Sequence, residues 1–208
     1  MAFISTVSVN DATGDVRTLY EKSQANLGYV PNYAKLFSHR PQVMAAWDHL
    51  ISSIRTNLDT CRYELITLAA ARALQSSYCM LAHGTILCQQ FYPPEQLIAI
   101  ADDFTTTDLA PIDVAIMSFA EQIVSDATSV TGADIQHLRE YGLTDAGIFD
   151  IAAATAARCF FSKLLDALGA EPDSAYTQLE GTLQQHLTVG RPISQAAGEQ
   201  VSATAAQE

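Results

Sequence analysis

Residues 59–91 read DTCRYELITLAAARALQSSYCMLAHGTILCQQF. Asp59-Thr60 is a helix-capping pair, and the run from Cys61 to about Leu74 is apolar on most sides, with Leu65, Ile66, Leu68 and the alanines. Alanine has the best helix propensity and lets helices pack closely. A helix apolar on most sides belongs in a core. Gln75-Ser76-Ser77 interrupts the run, and a second helix follows from about Tyr78 to Phe91, closed by Pro93-Pro94.

The same grammar extends outward. A helical pattern runs from near Asp11 to Leu27, after a cap in Asn10-Asp11, and Gly28-Tyr29-Val30-Pro31-Asn32 breaks it. A short piece, Tyr33 to Ser38, precedes a helix opened by Pro41, with Met44, Trp47, Leu50, Ile51 and Ile54 on one face. Asp102 to Asp108 is polar and reads as a loop. Helices are expected from Pro111 to Val124, from Thr131 to Tyr141 with Gly142 as its stop, and from Ala146 to Leu168 between Thr144-Asp145 and Gly169. Pro172 is expected to open a last helix to about His186. No stretch alternates apolar and polar residues over strand length, so the fold class is all-α. The alanine-rich runs Leu68 to Arg72 and Ile151 to Arg158 look alike and hint at an internal helical duplication. We expect one helical domain over residues 1–189. The tail 190–208 has few large apolar groups and reads as a C-terminal extension, either flexible or packed on a neighbouring subunit.

The net charge of −12 disfavours phosphate backbones and anionic membrane surfaces, so neither nucleic acid nor membrane is an expected partner. The start has no basic stretch followed by an apolar one, and a cytoplasmic location is expected. The four cysteines, Cys61, Cys79, Cys88 and Cys159, form no disulfide framework and no C-x-x-C pair, so no structural zinc is expected. No glycine-rich phosphate loop is present, and no cofactor is implied.

Chemistry concentrates between Glu64 and His83. Ser76 or Ser77 can cap the second helix, which puts Cys79 in its first turn, where free N–H groups and the positive dipole end stabilise a thiolate. His83 lies one turn further on the same face, placed to take the thiol proton or give one to a leaving oxygen. Cys88, nine residues from Cys79, is about half a rotation away at roughly 3.6 residues per turn. The bland alternatives are a buried small hydrophobe for Cys79, a satisfied core histidine for His83 and a first-turn carboxylate for Glu64. Cys61, Cys88 and Cys159 read as structural, and His39, His49, His137 and His186 as solvated.

Glu64, eleven residues, then Ser76-Ser77-Tyr78-Cys79-Met80-Leu81-Ala82-His83 resembles the carboxymuconolactone decarboxylase and alkylhydroperoxidase D superfamily. That pattern is a glutamate, eleven residues, then C-x-x-C-x-x-x-H. Pro31-Asn32-Tyr33, His39-Arg40-Pro41, the Asp134 to Asp150 stretch and Leu168-Gly169-Ala170-Glu171-Pro172-Asp173 are similar to its peroxidase-related branch. The resemblance implies an alkylhydroperoxidase D-like helical bundle assembled as a dimer, trimer or hexamer. It also implies a peroxidatic Cys79 with Glu64 and His83 as proton relay. Ser76 stands where the family's first cysteine closes a disulfide, and a serine cannot do so. A Cys79 sulfenic acid would therefore need Cys61, Cys88, Cys159, another subunit or an external thiol. The expected function is a peroxidase-like thiol oxidoreductase acting on a small hydroperoxide, in antioxidant defence, with a thiol reductant. The alternatives are a lactone-processing or decarboxylating enzyme using Glu64 and His83 as acid and base, and a helical scaffold or ligand-binding oligomer that has lost turnover.

Overall fold

Asp59 caps as its position requires: its carboxylate accepts from the Arg62 N–H at 3.0 Å and starts the most buried helix of the protein. The structure is a computed structural model and describes residues 2–196 and 198–201. In chain order the helices are α1 (Gly14–Leu27), α2 (Asn32–Phe37), α3 (Pro41–Arg55), α4 (Thr60–Ala73), α5 (Ser77–Gln90), α6 (Pro94–Asp103), α7 (Pro111–Asp126), α8 (Gly132–Glu140), α9 (Asp145–Ala167) and α10 (Gly181–Leu187). No strand is present among the described residues, so the fold is all-α as expected. No helix among them is long and apolar enough to cross a membrane.

Every α4 residue from Tyr63 to Ala71 is buried, and α5, α7 and α9 surround it. Its alanines let these neighbours come close, and the alanine-rich part of α9 is one of them. The α4–α5 turn fixes where the cysteine helix begins. Gln75 takes the left-handed conformation (φ 54°), a place usually given to glycine. The Gln75 N–H then bonds Arg72 O and the Ser76 N–H bonds Ala71 O, each at 3.0 Å, which satisfies the last carbonyls of α4. Further along α5, a Cβ at Gly84 would meet the Leu187 side chain, so glycine allows α10 to lie against this helix.

The structure departs from expectation in four places. Pro94–Asp103 is a helix, with Leu97, Ile100 and Ala101 buried at helical spacing, and the expected loop at Asp102 begins only after it with a 3₁₀ turn, Phe104–Thr106. Helix α1 starts at Gly14, because Asp11 is held in a turn by Ser8, whose hydroxyl donates to its carboxylate at 2.7 Å. The last helix does not start at Pro172. Asp173 is extended, Ser174–Gln178 forms a 3₁₀ turn, and Glu180 caps α10 by accepting from the Thr182 and Leu183 N–H groups. The serine hydroxyls do not cap α5: Ser76 makes no capping bond, and Ser77 Oγ instead accepts from the Gly190 N–H at 2.7 Å.

That last bond begins the path of the extension. A Cβ at Gly190 would overlap the Gln75 carbonyl oxygen, so only glycine lets the chain pass this close to the α4–α5 turn. Arg191 then donates to the Asp166 carbonyl at 2.7 Å, the Ser194 N–H bonds Pro172 O at 2.8 Å, and the Val30 N–H bonds Glu199 O at 3.0 Å. Residues 190–196 and 198–201 thus lie against their own domain. Residues 197 and 202–208 of the expected extension lie outside the described residues.

Candidate active site

Glu64 sits on the second turn of α4, where the helix is already fully enclosed, and only 1% of its side chain is exposed. A lone carboxylate at that depth would be costly. His83, on the facing helix α5, brings Nδ1 to within 2.5 Å of Glu64 Oε2. Arg55, at the end of α3, approaches Oε1 at 3.7 Å and lies over the Tyr63 ring, 4.7 Å from its centroid. Burial, and next the nearby Arg158 charge, lower the His83 pKa below the ordinary 6.5, with Glu64 pulling the other way. The imidazole is therefore neutral at pH 7, with Nδ1–H donating to the carboxylate and Nε2 free as an acceptor.

This has a consequence for stability. The folded state holds a proton on His83 less readily than the unfolded chain does. The histidine's contribution is thus fully present above 6.5 and is lost as pH falls through the folded-state value. Denaturant titrations at pH 7 and pH 5 should show the protein losing stability on acidification and His83→Gln losing less of it. Equal losses in the two proteins would contradict the shift.

Cys79 is buried in the first turn of α5 and faces α9, not Glu64. Ser162 Oγ donates to Cys79 Sγ at 3.0 Å and Arg158 Nη1 donates at 3.6 Å. Arg158 and Ser162 are four residues apart on α9, so both project to one face. Arg158 is itself buried, with its guanidinium beside the rings of Trp47 and Phe161. Among the described residues no carboxylate lies within ion-pair distance of it. Its other partner is Tyr63 Oη, at 3.4 Å from Nη2. Burial opposes the Arg158 charge, but Cys79 and then Tyr63 outweigh it, and the guanidinium is held protonated more firmly than usual.

The expected residues therefore fall into two groups. Glu64 and His83 touch directly. Cys79 joins neither by a hydrogen bond, and Tyr63 stands between the groups, bonded to Arg158 and packed edge-on against the His83 ring at 6.3 Å. Ser76 is completely buried, yet its hydroxyl has no hydrogen-bond partner at ordinary geometry. Its acidic neighbour is Asp166, whose carboxyl burial pushes up while Ser76 and Arg191 counter the rise. All four cysteines carry free thiols. His39 and His186 are engaged at the surface, with Ser5 O and Asp102 respectively. No group of three or more His, Cys, Asp or Glu side chains suited to a metal ion occurs among the described residues.

Tyr63, Arg158 and Ser162 were not singled out as site residues from the sequence. The available signal was an arginine inside the apolar, alanine-rich run of α9, with a hydroxyl one turn later. A charge at such a position is either paired or functional.

The sequence matches no family model and no curated relative. Solved structures do share the fold. An uncharacterized peroxidase-related protein from Ralstonia eutropha JMP134, described as an alkylhydroperoxidase AhpD core, has 27% identity and a TM-score of 0.76 over 84% of this chain and 94% of its own. A second uncharacterized peroxidase-related protein, from Silicibacter sp. TM1040, has 22% identity and a TM-score of 0.74 over 83% of this chain and 92% of its own. The debrominase Bmp8 has 17% identity and a TM-score of 0.67 over 83% of this chain and 91% of its own. A cysteine-to-alanine variant of that debrominase has been solved in complex with 2,3,4-tribromopyrrole. Over most of its length the chain thus shares the all-α fold of alkylhydroperoxidase AhpD-like proteins, consistent with that superfamily.

Proposed function

We propose that the protein is a peroxidase-like thiol oxidoreductase in which Cys79 is the single reacting sulfur. The observation that carries this reading is the convergence of Arg158 and Ser162 on Cys79 Sγ. Two donors, one a buried cation with no carboxylate partner, match a thiolate acceptor far better than a thiol. The substrate, a small hydroperoxide, would reach Sγ beside Tyr63, the side chain that bridges the cysteine group and the Glu64–His83 pair. The thiolate attacks one peroxide oxygen, the O–O bond breaks, and Cys79 becomes a sulfenic acid. Neutral His83 accepts the hydroperoxide's own O–H proton on Nε2 as the S–O bond forms and passes it to the departing alkoxide, which leaves as the alcohol while the sulfenic acid remains ionised. Because Ser76 supplies no second sulfur, an external thiol condenses with the sulfenic acid, releasing water, and a second thiol frees Cys79 from the mixed disulfide.

The lactone-processing alternative asks nothing of Cys79 and leaves both donors on its sulfur without a purpose. The scaffold alternative leaves a buried arginine unexplained. Homo-oligomer formation is part of the same reading, supported by Phe149 and Phe160, which are 70% and 47% exposed along α9.

The test is direct. The intact protein is treated with one equivalent of an alkyl hydroperoxide and a dione that traps sulfenic acids, and the cysteine peptides are weighed. We expect the adduct at Cys79, and hydroperoxide consumption sustained by a small thiol. Consumption no faster than in buffer, with Cys79 unlabelled, would overturn the reading.

A further inference from the structure

Three parts of the sequence that carry the family resemblance have no part in the chemistry above: Pro31-Asn32-Tyr33, Tyr78 beside the cysteine, and Glu171-Pro172-Asp173. In the fold they meet at one buried carboxylate. Asp173 Oδ1 accepts from the Asn32 N–H at 2.7 Å, and Oδ2 accepts a short hydrogen bond from Tyr78 Oη. Tyr78 Oη in turn accepts from the Tyr33 N–H at 3.2 Å, and Asn32 Nδ2 donates to Glu171 O at 3.1 Å. The rings of Tyr33 and Tyr176 pack edge-on against Tyr78, at 6.0 Å and 6.4 Å. Burial raises the Asp173 pKa and Tyr78 opposes the rise.

We propose that Asp173 is a positioning residue for the thiol: through Tyr78 it fixes the rotation of the first turn of α5, which keeps Cys79 Sγ against Arg158 and Ser162. Tyr78 and Cys79 are consecutive residues in that turn, so the turn cannot rotate toward Arg158 and Ser162 without moving both. The turn has no side-chain cap of its own, so the usual device for fixing a helix start is absent. Asp173 supplies an anchor from outside the helix, tied to the start of α2 on one oxygen and to Tyr78 on the other. The inference rests on the proposed function only in taking Cys79 as the reactive group.

Iodoacetamide alkylation of Cys79 at pH 7, followed on its own peptide, measures this without peroxide turnover. Tyr78→Phe removes one oxygen from the folded chain and is expected to slow alkylation about 10-fold. In an Arg158→Met background the same change should alter the rate less than about twofold, because the contact that positioning serves is already gone. Asp173→Asn should behave like Tyr78→Phe, since the amide puts an NH2 donor where one of the two accepting oxygens stood. If Asp173→Asn does not fold, Tyr78→Phe and its double variant carry the test. A Tyr78→Phe rate within about twofold of the parent, or an equal slowing in both backgrounds, overturns the proposal. A protein that shows the coupled pattern but turns over no hydroperoxide upholds the positioning role and removes only the peroxidase reading.

Discussion

Arg158→Met is expected to slow the reaction of Cys79 with hydroperoxide, and with iodoacetamide, by about 100-fold at pH 7. A hydrogen bond to a charged group contributes roughly 1.5–3 kcal/mol, and a thiolate that loses its cationic donor loses that amount relative to the thiol. Ser162 Oγ remains at 3.0 Å and preserves part of the stabilisation, so the rate should fall but not vanish. Arg158→Lys should be intermediate. A lysine ammonium can approach the sulfur, but it lacks the planar fork that reaches Cys79 with Nη1 and Tyr63 with Nη2 at once. Stability should move differently from rate. The guanidinium is buried among Trp47 and Phe161 with no carboxylate of the described residues in reach, so methionine in its place should leave the melting temperature unchanged or raise it. Rate constants from stopped-flow peroxide consumption, beside thermal melts, check both halves. Unchanged reactivity in Arg158→Met would mean that the cation does not serve the sulfur.

The contrast between what the sequence reveals and what it hides follows the range of each interaction. Helix α4, its Asp59 cap and the stops at Gly142 and Gly169 depend on local pattern and were legible, whereas the pairing of Glu64 with His83 was implied by the family resemblance. Helix α6 was missed although Leu97, Ile100 and Ala101 carry a helical period, because Pro93-Pro94 and the Asp102 to Asp108 stretch frame it as a break. Proline at a first helical turn is in fact compatible with a start, and Pro94 is such a case. Pro172 is the opposite error. It resembles a helix opener, but the residue after it is committed to Asn32 and Tyr78, which holds the backbone extended. The donors on Cys79 come from residues 79 and 83 positions away along the chain, and no local period records that meeting. An internal arginine in an apolar run was the trace it left.

Glu64→Gln is expected to lower hydroperoxide turnover by about 100-fold while leaving Cys79 alkylation within about threefold of the parent. The separation follows from geometry. Glu64 bonds His83 at 2.5 Å, whereas among the described residues the Cys79 sulfur bonds Arg158 and Ser162, so the carboxylate acts on the proton that the departing alkoxide needs and not on the standing charge of the sulfur. Glutamine keeps the volume and can accept from Nδ1–H, so the imidazole keeps its orientation. What it loses is the negative charge that stabilises an imidazolium at the moment the proton is held. The fold should tolerate the exchange, because a neutral amide removes a buried charge and the Arg55 side chain, 46% exposed, can turn to water. Alkylation by iodoacetamide needs a thiolate but no proton donor to an oxygen leaving group, and turnover needs both, so the pair of measurements on one variant separates the two roles. If Glu64→Gln slows both to the same extent, the Glu64–His83 pair is the base that makes the thiolate, and the division of labour between α4–α5 and α9 proposed above is wrong.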